Sequence, residues 1–195
     1  MKLYNSGGPN PRMVRMFMAE KGFDVPKVDV DIRGGENRRE PYLKVNPAGQ
    51  CPALELDDGT VLAEITAICE YVDEKKKDTP SLIGDTPEER ARTRMWTRRI
   101  DLNIVEPGAN GFRFAEGLKM FETRVRCIPA AADDLKATAR DKLKWLDGLG
   151  ARSPSSPATS SPWPTSCCSP SSTSWPMSAS RSIPIARTSP PGSVA

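Results

Sequence analysis

Two stretches of the chain hold residues whose types and order can do chemistry. In the first, Cys51-Pro52 is followed by apolar Ala53, Leu54 and Leu56, a turn at Asp57-Asp58-Gly59-Thr60, and the returning Val61 and Leu62. That is a β-hairpin pattern. An X-Pro bond prefers trans by only about 0.5–1 kcal/mol, so a fold can hold Cys51-Pro52 cis. The N–H and C=O of Cys51 then face a ligand and pair with an extended peptide as a sheet edge pairs with an added strand. The competing reading is a trans proline at the start of an edge strand. Glu64 follows the hairpin and opens a helical run. Its carboxylate suits an amino group, and the unpaired N–H groups of the first turn suit a carboxylate. Read alone, an acidic residue there is a stabilising cap, and its spacing from Pro52 is what points to ligation.

The second stretch is the loop Ser6-Gly7-Gly8-Pro9-Asn10-Pro11, directly ahead of a helix,. Pro11 fits a first helical position. Met13, Val14, Met16, Phe17 and Met18 then recur at helical spacing as core, with Arg12, Arg15, Glu20 and Lys21 at polar positions and Gly22 as the stop,. Ahead of the loop, Lys2 to Tyr4 reads as a short strand. Lys27 to Asp31 alternates as a half-buried strand, and Gly34-Gly35 breaks the chain,. Glu36 to Lys44 reads as a short, mobile second helix bordering the pocket, with Arg38 and Arg39 in solvent.

These stretches, KLYNSGGPNPRMVRMFMAEKG, NPAGQCPAL and DDGTVLAEITAICEYVDE, closely resemble the N-terminal domain of bacterial glutathione transferases. The resemblance covers residues 2–77. It implies an α/β thioredoxin-like domain, βαβαββα, followed by an all-α domain, with glutathione as co-substrate and no metal. By that resemblance Gln50 contacts the glycyl end, the Cys51 backbone ahead of Pro52 contacts the cysteinyl unit, and Glu64 with Ile65 holds the γ-glutamyl group. Many relatives carry Ser where Ile65 stands, so a hydroxyl donor is missing; the backbone N–H remains, and Thr66 is the neighbouring oxygen. A free thiol has a pKa near 8.5, so its attack requires stabilisation of the thiolate by hydrogen-bond donors or a helix N-terminus. Asn10 falls at the family's nucleophile-stabilising position, Ser6 is the second candidate and Tyr4 the third. Asn10 also reads as a helix cap, and Tyr4 as packing.

Composition narrows the chemistry. The 195 residues contain no histidine, which removes Ser-His and Cys-His catalysis and most zinc sites,. No cysteine precedes Cys51, so the dithiol of glutaredoxins is absent and disulfide reduction is not expected,. A net charge of +3 is too small to imply nucleic acid or a membrane surface,. With no signal peptide or membrane span, and with isolated Cys51, Cys69 and Cys127, the expected location is a reducing cytoplasm,.

The divisions read as 1–78 for the glutathione-binding domain, 79–85 for a linker, 86–152 for a partial helical domain and 153–195 for a tail. Thr86-Pro87-Glu88-Glu89 combines an N-cap, an early proline and the glutamate of a capping box,. Met95, Ile100, Leu102, Ile104 and Val105 give the following helix an apolar side through about Glu106. Leu135, Leu143, Trp145 and Leu146 mark another amphipathic helix over 131–147,. The resemblance places the electrophilic second substrate between the domains, near Trp96 to Asn103, and implies a homodimer for the intact gene product.

From Ser153 onward Ser, Pro and Thr dominate and acidic residues vanish, the composition of a disordered tail,. Two tryptophans and Cys167-Cys168 fit that composition poorly. Taking the third base of each codon with the first two of the next turns Pro162 to Trp175 into a nearly unbroken apolar helix with fixed alanines. That product resembles the T-M-A-D-I-L-L-F helix of transferases, and Ser153 to Ala158 can be decoded as P-F-I-A-G-D, the first base of each restored codon being free. The expectation is a frame slip near Arg152 that removes a core helix. Function therefore reads as conjugation of glutathione thiolate to an electrophilic small molecule; the alternatives are a noncatalytic binding module and an inactive frame-shifted product.

Overall fold

Leucines at matched positions of three short strands define the scaffold. The computed structural model, which describes residues 1–152, pairs β1 (Lys2–Asn5) in parallel with β2 (Lys27–Asp29) and antiparallel with β3 (Ala53–Glu55). Strand β4 (Val61–Ala63) adds antiparallel to β3, giving the order β2-β1-β3-β4. Leu3 stands opposite Leu54 and Leu54 opposite Leu62, one apolar row across a single face,. Onto this row pack α1 (Pro9–Glu20) and α3 (Ile65–Lys75) through Val14, Phe17, Met18, Ile68 and Val72. Each such side chain stabilises by about 1.5–3 kcal/mol on burial. On the other face Tyr4 meets Tyr42 of α2 (Tyr42–Val45) edge-on, ring centroids 5.8 Å apart,. The order and topology are those of a thioredoxin-like domain, followed by a helical region.

Helix α1 begins two residues before Pro11. Gly8 is its extended N-cap and Pro9 its first residue. Pro11 still fits, because the first four N–H groups of a helix have no partner within it. Asn10 lies inside the first turn and is not the cap. Lys21, expected at a polar position, is 1% exposed. It leaves the end of α1 to pair with Asp73 of α3 at 3.0 Å and donates to the carbonyls of Thr79 and Pro80.

Strand β2 is shorter and wetter than expected. All three of its residues are exposed, and Val30 is buried just beyond it. The Asp31 carboxylate accepts from the N–H groups of Arg33 and Gly34, a local turn that ends the ladder,. The expected helix over 36–44 divides into a single 3-10 turn, Glu36–Arg38, and α2. Pro41 lies between them and supplies no N–H to continue the first turn.

Past residue 85 the described chain is helical. Helix α4 (Pro87–Ile100) opens on a complete capping box: the Thr86 hydroxyl accepts from Glu89 N–H and the Glu89 carboxylate accepts from Thr86 N–H. A widened turn over Asp101–Val105 leads into α5 (Glu106–Arg113). Pro107 explains the widening, since in a regular helix its ring would clash with the carbonyl of Asn103. Helix α6 (Leu118–Phe121) and the longer α7 (Ala132–Arg152) follow. Arg94 clamps Glu70 with bonds of 3.0 and 2.7 Å, tying α4 to α3. The single apolar side expected for α4 is in fact two stripes. Ile100 and Ile104 are half-buried, whereas Met95, Leu102 and Val105 are 40, 51 and 51% exposed. The tail and its expected disorder, 153–195, lie outside the described residues.

Candidate functional site

Strand register gathers the candidate residues at one end of the sheet. Tyr4 pairs with Ala53 and Ala53 with Ala63, so the next positions along the row are Asn5, Pro52 and Glu64. Helices α1 and α3 both start at this end and bring their positive dipole ends to it; in α1, where Pro9 and Pro11 carry no N–H, the free donor is the Asn10 N–H,. The Cys51-Pro52 bond is cis. Glu64 has φ 69°, and it is the only non-glycine residue with positive φ among the described residues. A bulky side chain in that conformation persists only where its surroundings enforce it, which marks the position as a candidate functional one. Its carboxylate makes no capping hydrogen bond and is exposed. The cap reading therefore does not hold for the Glu64 side chain. Ile65 packs against the core, and Thr66 is exposed in the first turn of α3.

The loop that presents Cys51 is clamped by side chains that the sequence did not single out. The Gln50 carbonyl accepts from Tyr42 Oη at 2.7 Å and from Asn46 Nδ2 at 2.8 Å. The Asn37 amide donates to the Gly49 carbonyl, and the Asn46 Oδ1 accepts from Ala48 N–H. Gly49 sits at φ 61°, where an added Cβ would lie 2.9 Å from the Asn37 carbonyl. The dipeptide Asn46-Pro47 was a readable turn signal. Tyr42 and Asn37 sit among charged neighbours and carried no comparable signal. The Gln50 side chain is exposed, while its carbonyl is fully used in holding the loop.

Cys51 itself is not poised as a nucleophile. Its Sγ donates to Tyr42 Oη at 3.2 Å. Burial pushes the thiol up, the Tyr42 bond opposes that, and the Glu36 charge adds to it,. Burial, reinforced by Cys51, also raises the Tyr42 hydroxyl, so both groups stay protonated near neutrality.

The three thiolate candidates differ in exposure and in their partners. Asn10 is exposed in the first turn of α1. Ser6 is 5% exposed, and its Oγ has no hydrogen-bond partner. It lines a cleft of about 470 Å³ with Asn5, Arg15, Asp29, Asp31 and Glu36. Gln50, Cys51, Glu64 and Asn10 do not line that cleft, and its three carboxylates would repel a thiolate. The Tyr4 hydroxyl donates to Glu55 at 2.8 Å, which engages its proton. Farther along, Trp96 packs on Trp145 with centroids 6.2 Å apart and carries Arg99 over its face; Asn103 bonds back to the Arg99 carbonyl. Among the described residues no helix is long and apolar enough to cross a membrane.

Comparison with known proteins points to one family. The sequence model of the glutathione S-transferase N-terminal domain matches residues 7–75. Glutathione S-transferase 2 of Saccharomyces cerevisiae is 39% identical over 118 residues, 59% of this chain and 50% of the yeast protein. The maleylacetoacetate isomerase of Pseudomonas aeruginosa is 39% identical over 97 residues, 48% of this chain and 45% of that protein. The chain thus spans about half the length of these named relatives. A crystal structure of a glutathione S-transferase domain-containing protein from Marinobacter aquaeolei superposes with a TM-score of 0.72 and 38% identity, covering 78% of this chain and 75% of that one. With its sheet order, its cis Cys51-Pro52 loop and this extent of shared sequence and structure, the chain belongs to the glutathione S-transferase family.

Proposed function

We propose that the chain binds glutathione at the shared end of β1, β3 and β4 and transfers its thiolate to an electrophilic small molecule. The observation that carries this reading is the row Asn5, Pro52, Glu64, with two helix N-termini at the same edge. In that site the backbone of Cys51 pairs with the cysteinyl unit, and Gln50 meets the glycyl end. The Glu64 carboxylate holds the ligand's ammonium, while the N–H groups of Ile65 and Thr66 take the γ-glutamyl carboxylate. Asn10 and the start of α1 face the sulfur and stabilise its anion; Ser6 lies among carboxylates and is the weaker candidate. The thiol gives its proton to solvent, the sulfur lone pair forms the new S–C bond, and the displaced electron pair leaves with the electrophile's departing group. No metal takes part in this proposal.

Titration calorimetry with glutathione, followed by conjugation of 1-chloro-2,4-dinitrobenzene, tests the reading. Saturable binding with turnover supports it; no heat and no turnover by the frame-restored protein overturn it. A noncatalytic glutathione-binding module is the second reading, favoured by Ile65 in place of a hydroxyl donor. Binding without turnover across a broad electrophile panel would select it. Because one relative is named an isomerase, isomerisation is assayed beside net transfer.

The same proposal assigns residues 1–78 to the glutathione-binding domain, 79–85 to the linker and 86–152 to the helical domain, in a cytoplasmic protein. It also includes a homodimer for the intact gene product, and a monomer or aggregate for the chain with its present tail. The outward stripe Met95, Leu102, Val105, spaced seven and three residues apart on one side of the helix, supports a second copy as its cover. Light scattering that returns a monomer mass for the frame-restored protein at micromolar concentration would remove the dimer.

A further inference from the structure

Helix α7 is well packed at one end and open at the other. Ala132 and Ala139 are buried, and Ala139 lies against Gly108 of α5. The same stripe continues through Leu143 and Leu146, yet none of residues 140–149 is buried. Leu143 is 38% exposed, and Trp145, although Trp96 of α4 packs on it, is 45% exposed. An apolar stripe that outlasts its partner calls for another helix, and the chain that follows is 43 residues long by sequence number, 153–195,. As translated, that stretch contains no leucine and is dominated by Ser and Pro. It offers no helical apolar period.

Its codons offer one. Reading each third base with the next two bases, with serines encoded as TCN, Trp163-Pro164 and Trp175-Pro176 give alanine and Cys167-Cys168 gives leucine with no freedom of choice. Every Ser that follows another residue in 165–174 gives Phe, Leu, Ile or Val, and Pro162-Trp163, Ser166-Cys167 and Ser174-Trp175 each give Leu, Met or Val. Polar positions fall only at the junctions before Thr165, Pro170 and Thr173, where Asp, Asn or a small residue is allowed. The product is an apolar segment long enough for about four helical turns, wide in its apolar face as a buried helix must be.

We propose that the open stripe of α7 around Leu143 and Leu146 is the seat of the helix encoded one base out of register by the codons of residues 162–175. The sequence after about Arg152 is then not the sequence this stripe was built to pack against. A gene with one base inserted between codons 150 and 153 restores the other frame. Hydrogen exchange compares peptides covering residues 140–149 in the full chain and in the full-length frame-restored protein. Restoration is expected to slow their exchange by about tenfold or more, as local opening gives way to a packed core. Leu143→Lys in the restored protein should return most of the fast exchange while circular dichroism stays helical. Binding of an apolar-surface dye is expected to fall on restoration in parallel. Equal exchange in the two proteins overturns the proposal, whatever resequencing shows, and so does restored protection that Leu143→Lys leaves untouched. The exchange readout involves no glutathione, so its outcome is independent of the proposed activity.

Discussion

Replacing Lys21 by methionine tests the packing that fixes the end of the N-terminal fold. The Lys21 and Asp73 side chains are 1 and 5% exposed, with Nζ 3.0 Å from the carboxylate. Nζ also donates to the Pro80 carbonyl at 2.9 Å and to the Thr79 carbonyl at 3.3 Å. From the other side Asp73 accepts from Ser81 Oγ at 2.6 Å and from Leu82 N–H at 2.8 Å. The pair thus joins α1, α3 and residues 79–82 through five polar contacts in a dry setting. Methionine fills nearly the same volume but leaves the Asp73 charge and two carbonyls short of donors. Removing one member of a buried pair destabilises by about 3–5 kcal/mol, a large share of the roughly 5–15 kcal/mol that holds a domain folded. With a urea dependence of about 1–3 kcal/mol per molar, the unfolding midpoint of the N-terminal transition should fall by about 2 M. The double variant Lys21→Met, Asp73→Leu removes the stranded charge and should recover half or more of the loss. A loss below about 1 kcal/mol for Lys21→Met, or a double variant no better than the single, would refute the role given to this pair.

Other expectations follow from the site. Glu64→Ala removes a charged hydrogen-bonding partner worth about 1.5–3 kcal/mol, so calorimetry should show glutathione affinity falling by about 10- to 100-fold. Gly49→Ala forces Cβ toward the Asn37 carbonyl at positive φ, and thermal unfolding should register a loss of about 1–2 kcal/mol,. Because burial raises the Cys51 thiol, its alkylation by iodoacetamide should lag behind a free cysteine and accelerate only at pH above the ordinary thiol range,. The unfolded thiol ionises first, so this group's share of stability is complete below the unfolded pKa and is lost as pH rises through the folded one.

Much of the fold was legible because it rests on local signals. The Pro52 hairpin, the helix start at Glu64 and the Thr86 capping box are each specified within a few residues, and the structure forms all three. What escaped the sequence depends on distant partners. Lys21 reads as a polar helix position until Asp73 and the carbonyls of 79–80 surround it. Tyr42 reads as one aromatic among charges until its hydroxyl is found holding the Gln50 carbonyl. The single apolar side assigned to α4 failed for a related reason. Half-buried and exposed apolar residues occur in the same window, and spacing alone sorted them only once the packing of α3 and α7 was known.

The candidate site is assembled largely from main-chain groups, and this bears on the substitution at Ile65. A hydroxyl at that position would add one donor, but the N–H groups of the first α3 turn and the Cys51 peptide remain, oriented by the helix and by the clamped loop. Such groups survive side-chain replacement as long as the backbone holds its course. The side chains with least freedom to change are therefore the ones that hold the course, Tyr42, Asn46, Asn37 and Gly49 around the loop. Tyr42→Phe tests this division of labour. It leaves every proposed glutathione contact in place while removing the donor to the Gln50 carbonyl, so glutathione affinity should fall with little change in the helical circular dichroism signal. If affinity proves indifferent to Tyr42→Phe yet collapses on Thr66→Val, side-chain hydroxyls and not the backbone grip the ligand, and the argument from main-chain recognition fails.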